Sequence, residues 1–190
     1  MTDHHTALLL VDLQVGLLSG DEQVHDGDEL VKRVSTLAER ARAEHVPVLY
    51  VQDDDVGETD SPEWAVDQRV APADGEHRVR KTACDAFHET GLDELLRGEG
   101  VQHIVVAGVA TEQCIDTTCR RAVTLGYDVT LLEDGHSTFD SAELAAPAVI
   151  AHHHRILDGF GAYVAGRPCE VRVVASDAVV FEVPPPSEED

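Results

Sequence analysis

The chain has 190 residues, 37 acidic and 14 basic side chains and a formal charge of -23, so phosphate backbones and anionic lipid surfaces are repelled: no nucleic-acid and no membrane partner is expected. A hydrophobic fraction of 43% excludes a disordered chain, and the length suits one compact domain burying about 70% of its unfolded surface. The longest apolar runs, such as Ile104 to Ala110, fall far short of the ~20 residues of a membrane span, and no basic, apolar leader follows Met1, so the expected location is cytoplasmic.

Ala7 to Asp12 is a short apolar run ended by a carboxylate and predicts a buried parallel strand. From Asp28 to Glu44, Leu30, Val31, Val34, Leu37, Ala38 and Ala41 recur at helical spacing. Val46 to Val51 predicts a second strand, with Pro47 tolerable only near its start. Asp53 to Gly75 is acidic and turn-rich, a long loop of the kind that carries function. A strand around Arg78 to Lys81 and a helix from Gly91 to Arg97 follow. Val101 to Gly108 predicts a strand, Glu112 to Leu125 a helix closed by Gly126, and Tyr127 to Leu132 another strand. Glu143 to Phe160 predicts a helix with Pro147 near its start, and Val171 to Val174 a last strand. The alternation implies an α/β fold of three layers, α-β-α, with a central, mostly parallel sheet. One domain is expected over residues 1–182, with a disordered Pro-rich acidic tail over 183–190.

In such a sheet, ligands bind at the carboxyl ends of the strands. Asp12 ends the first predicted strand, Lys81 the third, and Gly108 to Cys114 lies where the fourth turns into a helix. Cys114 falls in the first helical turn, where free N–H groups and the helix dipole favour a thiolate, and a nearby ammonium favours it further. Lys81 is one of only two lysines. Asp12 is placed to take the thiol proton and return it to a leaving group. The small-residue stretch from Gly108 to Thr111 lets backbone N–H groups approach a developing oxyanion. Cys84, Cys114, Cys119 and Cys169 are irregularly spaced in a chain too long to need stapling, which predicts free thiols. No phosphate-cradling glycine motif is present, and no cofactor is expected.

Leu10-Val-Asp12-Leu-Gln14, Val79-Arg-Lys81 followed by Asp85-Ala-Phe87, and Gly108-Val-Ala-Thr-Glu-Gln-Cys114 together resemble the isochorismatase-like cysteine hydrolases, which include nicotinamidases and related amidases. The resemblance runs from about Ala7 to Ala175 and implies the Rossmann-like fold of that family. It implies a triad of Asp12, Lys81 and Cys114, and a cis peptide between Val109 and Ala110 with the N–H groups of Ala110 and Cys114 forming the oxyanion hole. It implies thioester chemistry on a small amide, carbamoyl or lactam-like C–N bond. Vinyl-ether hydrolysis of the isochorismatase type, performed without this cysteine, and a non-catalytic ligand-binding role are the alternatives. A homodimer or homotetramer acting on a small-molecule substrate is the expected assembly.

The metal-binding members carry an Asp and several His after the second strand. Here the segment from Val51 to Trp64 has no histidine, so no imidazole metal site is expected, although Asp53 to Asp55 could hold a hard cation weakly. Trp64, Phe87 and Val109 are candidates for lining the substrate pocket, the two aromatics equally for anchoring their loops on the core. Gln14 is placed to orient Asp12, to meet substrate or to satisfy local backbone. His152 to His154 lie on a predicted helix, point in different directions and read as helix surface. His4 and His5 are assigned to a mobile terminus.

Overall fold

A strand covered on both sides must be apolar at every position, and Thr6–Val11 (β1) is: Leu8 and Leu10 face one side of the sheet, Ala7, Leu9 and Val11 the other, all fully buried. The structure, a computed structural model, describes residues 6–19 and 22–181; His4, His5 and the expected tail over 183–190 lie outside the described residues. Six further strands follow β1: Val48–Asp53 (β2), His77–Lys81 (β3), His103–Val109 (β4), Asp128–Ser137 (β5), Gly161–Val164 (β6) and Arg167–Val174 (β7). Among the described residues they form one seven-stranded sheet in the order β3-β2-β1-β4-β5-β7-β6. All neighbours are parallel except the antiparallel β6 and β7. The expected three-layer α/β fold is the observed one.

Helices cover both faces. Gly27–Ala43 (α2), preceded by the single turn Val15–Leu18 (α1), buries Leu30, Val31, Val34, Leu37, Ala38 and Ala41 against Leu8, Leu10, Tyr50, Val105 and Ala107. Asp28 and Glu29 in its first turn and Arg40 and Arg42 in its last complement the helix dipole. Leu92–Gly98 (α3) and Asp116–Leu125 (α4) pack on the other face, against Leu9, Val11, Val51, Ile104 and Val106. Ala146–Leu157 (α5) begins with Pro147 in its first turn and joins that same cluster through Leu157.

The antiparallel β6–β7 hairpin was not expected: its turn, at Ala165 (φ 50°) and Gly166 (φ 89°), puts an alanine where Asn or Asp usually signals such a turn. β5 also runs on past Leu132 to Ser137. Its pairing with β4 is regular through Val106 opposite Leu131, then shifts so that Gly108 faces His136.

The strand order reverses between β1 and β4, and the crevice of such a sheet opens there. Two backbone features shape its floor. Asp12 leaves β1 in the left-handed region (φ 53°), with its N–H bonded to Val51 O at 2.9 Å. Beside it, Gly108 has φ 133°, and a Cβ there would lie 1.9 Å from Val11 O. Only glycine lets β4 approach the end of β1 this closely. Gly108→Ala is expected to lose about 4 kcal/mol or more in a denaturant titration. Gly91→Ala, whose Cβ would meet nothing within 4 Å, is expected to change stability by under about 1 kcal/mol.

Candidate active site

Lys81 sits on β3, two strands away from β1, and its four-carbon stem crosses the end of β2 to reach the crevice. Its Nζ lies 2.8 Å from Asp12 Oδ2 and 3.3 Å from Cys114 Sγ, and it pairs closely with Asp53 Oδ2, so four chain segments meet at one ammonium. Asp53 is the register partner of Lys81 across β2 and β3. Lys81 is 2% exposed and Asp12 1%.

Cys114 is buried too, in a five-residue π-helical turn, Thr111–Ile115, that joins β4 to α4. The helix of the sequence reading therefore opens one turn wider than an α-helix, as helices often do at functional sites. The Val109–Ala110 peptide is cis, as the resemblance implied. Ala110, Gln113 and Cys114 line a cavity of about 330 Å³ together with Asp12, Leu17, Asp53, Asp55, Val56, Thr82, Ala83, Cys84 and Phe139.

Burial and charge set the protonation states. Burial pushes the Asp12 carboxyl up to about 6, with Lys81 pulling the other way. Burial works against the Lys81 charge, but Asp12 and Asp53 outweigh it and hold the ammonium above the usual lysine range. Burial, reinforced by the Asp12 charge, raises the Cys114 thiol well above the ordinary cysteine range despite Lys81. Burial thus works against a standing thiolate at Cys114, which the helix start and Lys81 had led one to expect: the desolvation cost was not visible in the sequence. Asp12 Oδ1 is buried with no hydrogen-bond partner among the described residues, leaving it free to accept a proton.

Other expectations resolve differently. The Gln14 side chain faces neither Asp12 nor the cavity: its amide donates to Asp53 O and Trp64 O, both at 3.0 Å, and accepts from Asp53 N–H at 2.8 Å. It clamps the end of β2 to the acidic loop, so it is a backbone tie rather than a substrate contact. Trp64 does not line the cavity either. Its carbonyl is held by Gln14 and Gln52, and Arg80 lies over its ring at 5.4 Å from the centroid. Phe87 stacks on Tyr127 in the core at 5.9 Å, and Val109 is fully buried under the sheet. Phe87 thus anchors its loop on the core, the other reading open to it, whereas Trp64 joins neither side of the core and packs beneath Arg80. Phe139, which the sequence reading did not single out, supplies the cavity's aromatic ring.

Asp12, Asp53 and Cys114 bring three ligand atoms within 4.8 Å of one another, but the Lys81 ammonium contacts all three residues. A cation binding there would have to displace a buried charge already in place. Of the three successive aspartates, Asp53 pairs with Lys81 and Asp54 with Arg80 at 2.8 Å, so they do not converge on a common point as cation ligands.

His154 is more than helix surface. Its Nε2 meets His136 Nε2 at 3.0 Å, and His136 Nδ1 meets Thr111 Oγ1 at 2.8 Å, so α5 is tied through β5 to the turn bearing Cys114. Burial lowers His136 to about 3 and lowers His154 as well. Only the β5 shift brings His136 beside the turn, which no local pattern reveals.

The fold and this strand-end site define an isochorismatase-type α/β hydrolase, and the comparisons agree. A family model described as the isochorismatase domain matches residues 6–152. A streptothricin hydrolase of Streptomyces noursei is 40% identical over 138 residues, 70% of this chain and 50% of that enzyme. The chain thus spans about half the length of that curated relative. An isochorismatase family protein, YecD of Escherichia coli O157:H7, is 31% identical over 149 residues, 70% of this chain and 79% of YecD. The crystal structure of an isochorismatase family protein superposes with a TM-score of 0.82 at 30% identity, covering 92% of this chain and 100% of that one. The chain belongs to the isochorismatase family of hydrolases.

Three outcomes follow from the charges. Asp12 keeps its proton to a higher pH folded than its ordinary 3.8, so its ionisation makes the fold less stable as pH rises from about 4 to about 6. The same ionisation supplies the base: alkylation of Cys114 by iodoacetamide is expected to climb with pH through about 6, and Asp12→Asn to flatten that limb. Lys81→Met strands buried carboxylates and is expected to cost about 3–5 kcal/mol in denaturant unfolding.

Proposed function

We propose that the chain is a cysteine hydrolase that cleaves the C–N bond of a small amide, carbamoyl or lactam-like substrate through a thioester on Cys114. The observation that carries this reading is the thiol held 3.3 Å from the Lys81 ammonium, which itself lies 2.8 Å from the Asp12 carboxylate, at the floor of a cavity. Asp12 takes the Sγ proton as sulfur attacks the carbonyl carbon, so no thiolate need be stored beforehand. The carbonyl oxygen, now negative, is received by the backbone N–H groups of Ala110 and Cys114. Removing such a donor typically costs about 3–4 kcal/mol of transition-state stabilisation. The C–N bond breaks as Asp12 gives its proton to the departing amine. Water then gives a proton to Asp12 and attacks the thioester, the acid leaves, and sulfur recovers the proton. Throughout, Lys81 keeps its charge and holds Asp12 and the sulfur in register.

The family membership and the similarity to a streptothricin hydrolase support hydrolysis as the reaction type. Vinyl-ether hydrolysis and passive ligand binding have no use for a thiol at this spot. Turnover is best read as release of ammonia or amine from a panel of small amides, ureido compounds and lactams. Cys114→Ala is expected to lower kcat/KM by about 10⁴-fold or more and Asp12→Asn by a similar factor. Full activity in Cys114→Ala would eliminate the thioester route.

A further inference from the structure

Charge around the cavity is lopsided. Its walls carry the carboxylates of Asp12, Asp53 and Asp55, against the single ammonium of Lys81, which is already paired with the first two. Arg80, on the neighbouring strand, is engaged elsewhere: its guanidinium forms a two-pronged bridge to Asp54 at 2.8 and 2.9 Å and lies over Trp64. The side chains of Leu17, Val56, Thr82, Gln113 and Phe139 add no compensating charge. One wall carboxylate has no part in the reaction: Asp55, exposed on the cavity wall, makes no side-chain hydrogen bond or ion pair among the described residues, while the buried Asp12 Oδ1, also without a partner, is the position that receives the thiol proton. The Asp55 backbone N–H is fixed to Asp53 Oδ1 at 2.9 Å, which keeps it close to the triad. Phe139, half-buried on the same cavity wall, offers a ring whose face attracts cations.

An anionic substrate would enter a net negative cavity whose floor at Asp12 is buried, where repulsion is screened less than at an open surface. A cation meets the opposite field, a free carboxylate and an aromatic face. We propose that the substrate carries a protonated amine close to its scissile carbonyl, and that Asp55 and Phe139 are the residues that select it. The inference deepens the amidase reading and rests on Cys114 as nucleophile. It also disfavours a dicarboxylate such as isochorismate as substrate.

The experiment measures modification of Cys114 in the full chain by three thiol reagents of similar size: 2-bromoethylamine (cationic), iodoacetamide (neutral) and iodoacetate (anionic). Each rate is divided by that of the same reagent with free N-acetylcysteine amide. The expected order is cation, neutral, anion, with at least about tenfold between the extremes at low salt. Asp55→Asn is expected to narrow that ratio threefold or more and Phe139→Ala to slow the cation alone. Glu29→Gln, on the exposed side of α2, is expected to leave the ratio unchanged, separating the local field from the overall charge. Equal normalised rates, a faster anion, or a ratio indifferent to Asp55→Asn would overturn the proposal. Should Cys114 resist all three reagents, the nucleophile reading falls, and selectivity is then read from equilibrium binding of 4-aminobutanamide, pentanamide and succinamate. Tenfold tighter binding of the aminobutanamide sustains the charge preference, and equal affinities end it.

Discussion

One buried ammonium organises this molecule. Lys81 reaches from β3 past β2 to touch carboxylates at the ends of β1 and β2 and the thiol that follows β4. A lone charge taken out of water is costly, and so is a lone carboxylate; each is tolerable here because the other is present. The arrangement ties the site to the fold. It needs β1, β2 and β3 in register, and it needs Gly108 to let β4 pass within contact of Val11. The geometry of the site and the assembly of the sheet are therefore one constraint.

The same burial governs the proton inventory. Water exclusion lifts Asp12 to about 6 and lifts the thiol too, while the carboxylates keep Lys81 charged. Asp12 is thus ionised at neutral pH yet a far better proton acceptor than an exposed aspartate.

Much of this was legible because the strands announce themselves. Continuous apolar runs ended by Asp12 and by Gly108 gave the parallel sheet, and the rule that ligands bind at strand ends picked out Asp12, Lys81 and Cys114, which the structure brings together. What stayed hidden depended on tertiary approach. The β6–β7 hairpin lacks a recognisable turn dipeptide at Ala165-Gly166. The His136–His154 contact needs the β5 register shift. Scarcity of aromatics made Trp64 and Phe87 look like pocket residues, yet one packs under Arg80 and the other in the core, while Phe139 takes the wall. Gln14, next to the site in sequence, spends its amide on the backbone of two loops.

The most direct test uses short-chain aldehydes labelled with ¹³C at the carbonyl, because a sulfur poised beside a proton donor adds to them reversibly and cannot expel a leaving group. Isotope-edited NMR of the protein with these aldehydes is expected to show a bound hemithioacetal carbon that vanishes in Cys114→Ala and weakens sharply in Asp12→Asn. A labelled carbon that stays free, or a bound signal that survives loss of Cys114, would contradict the account.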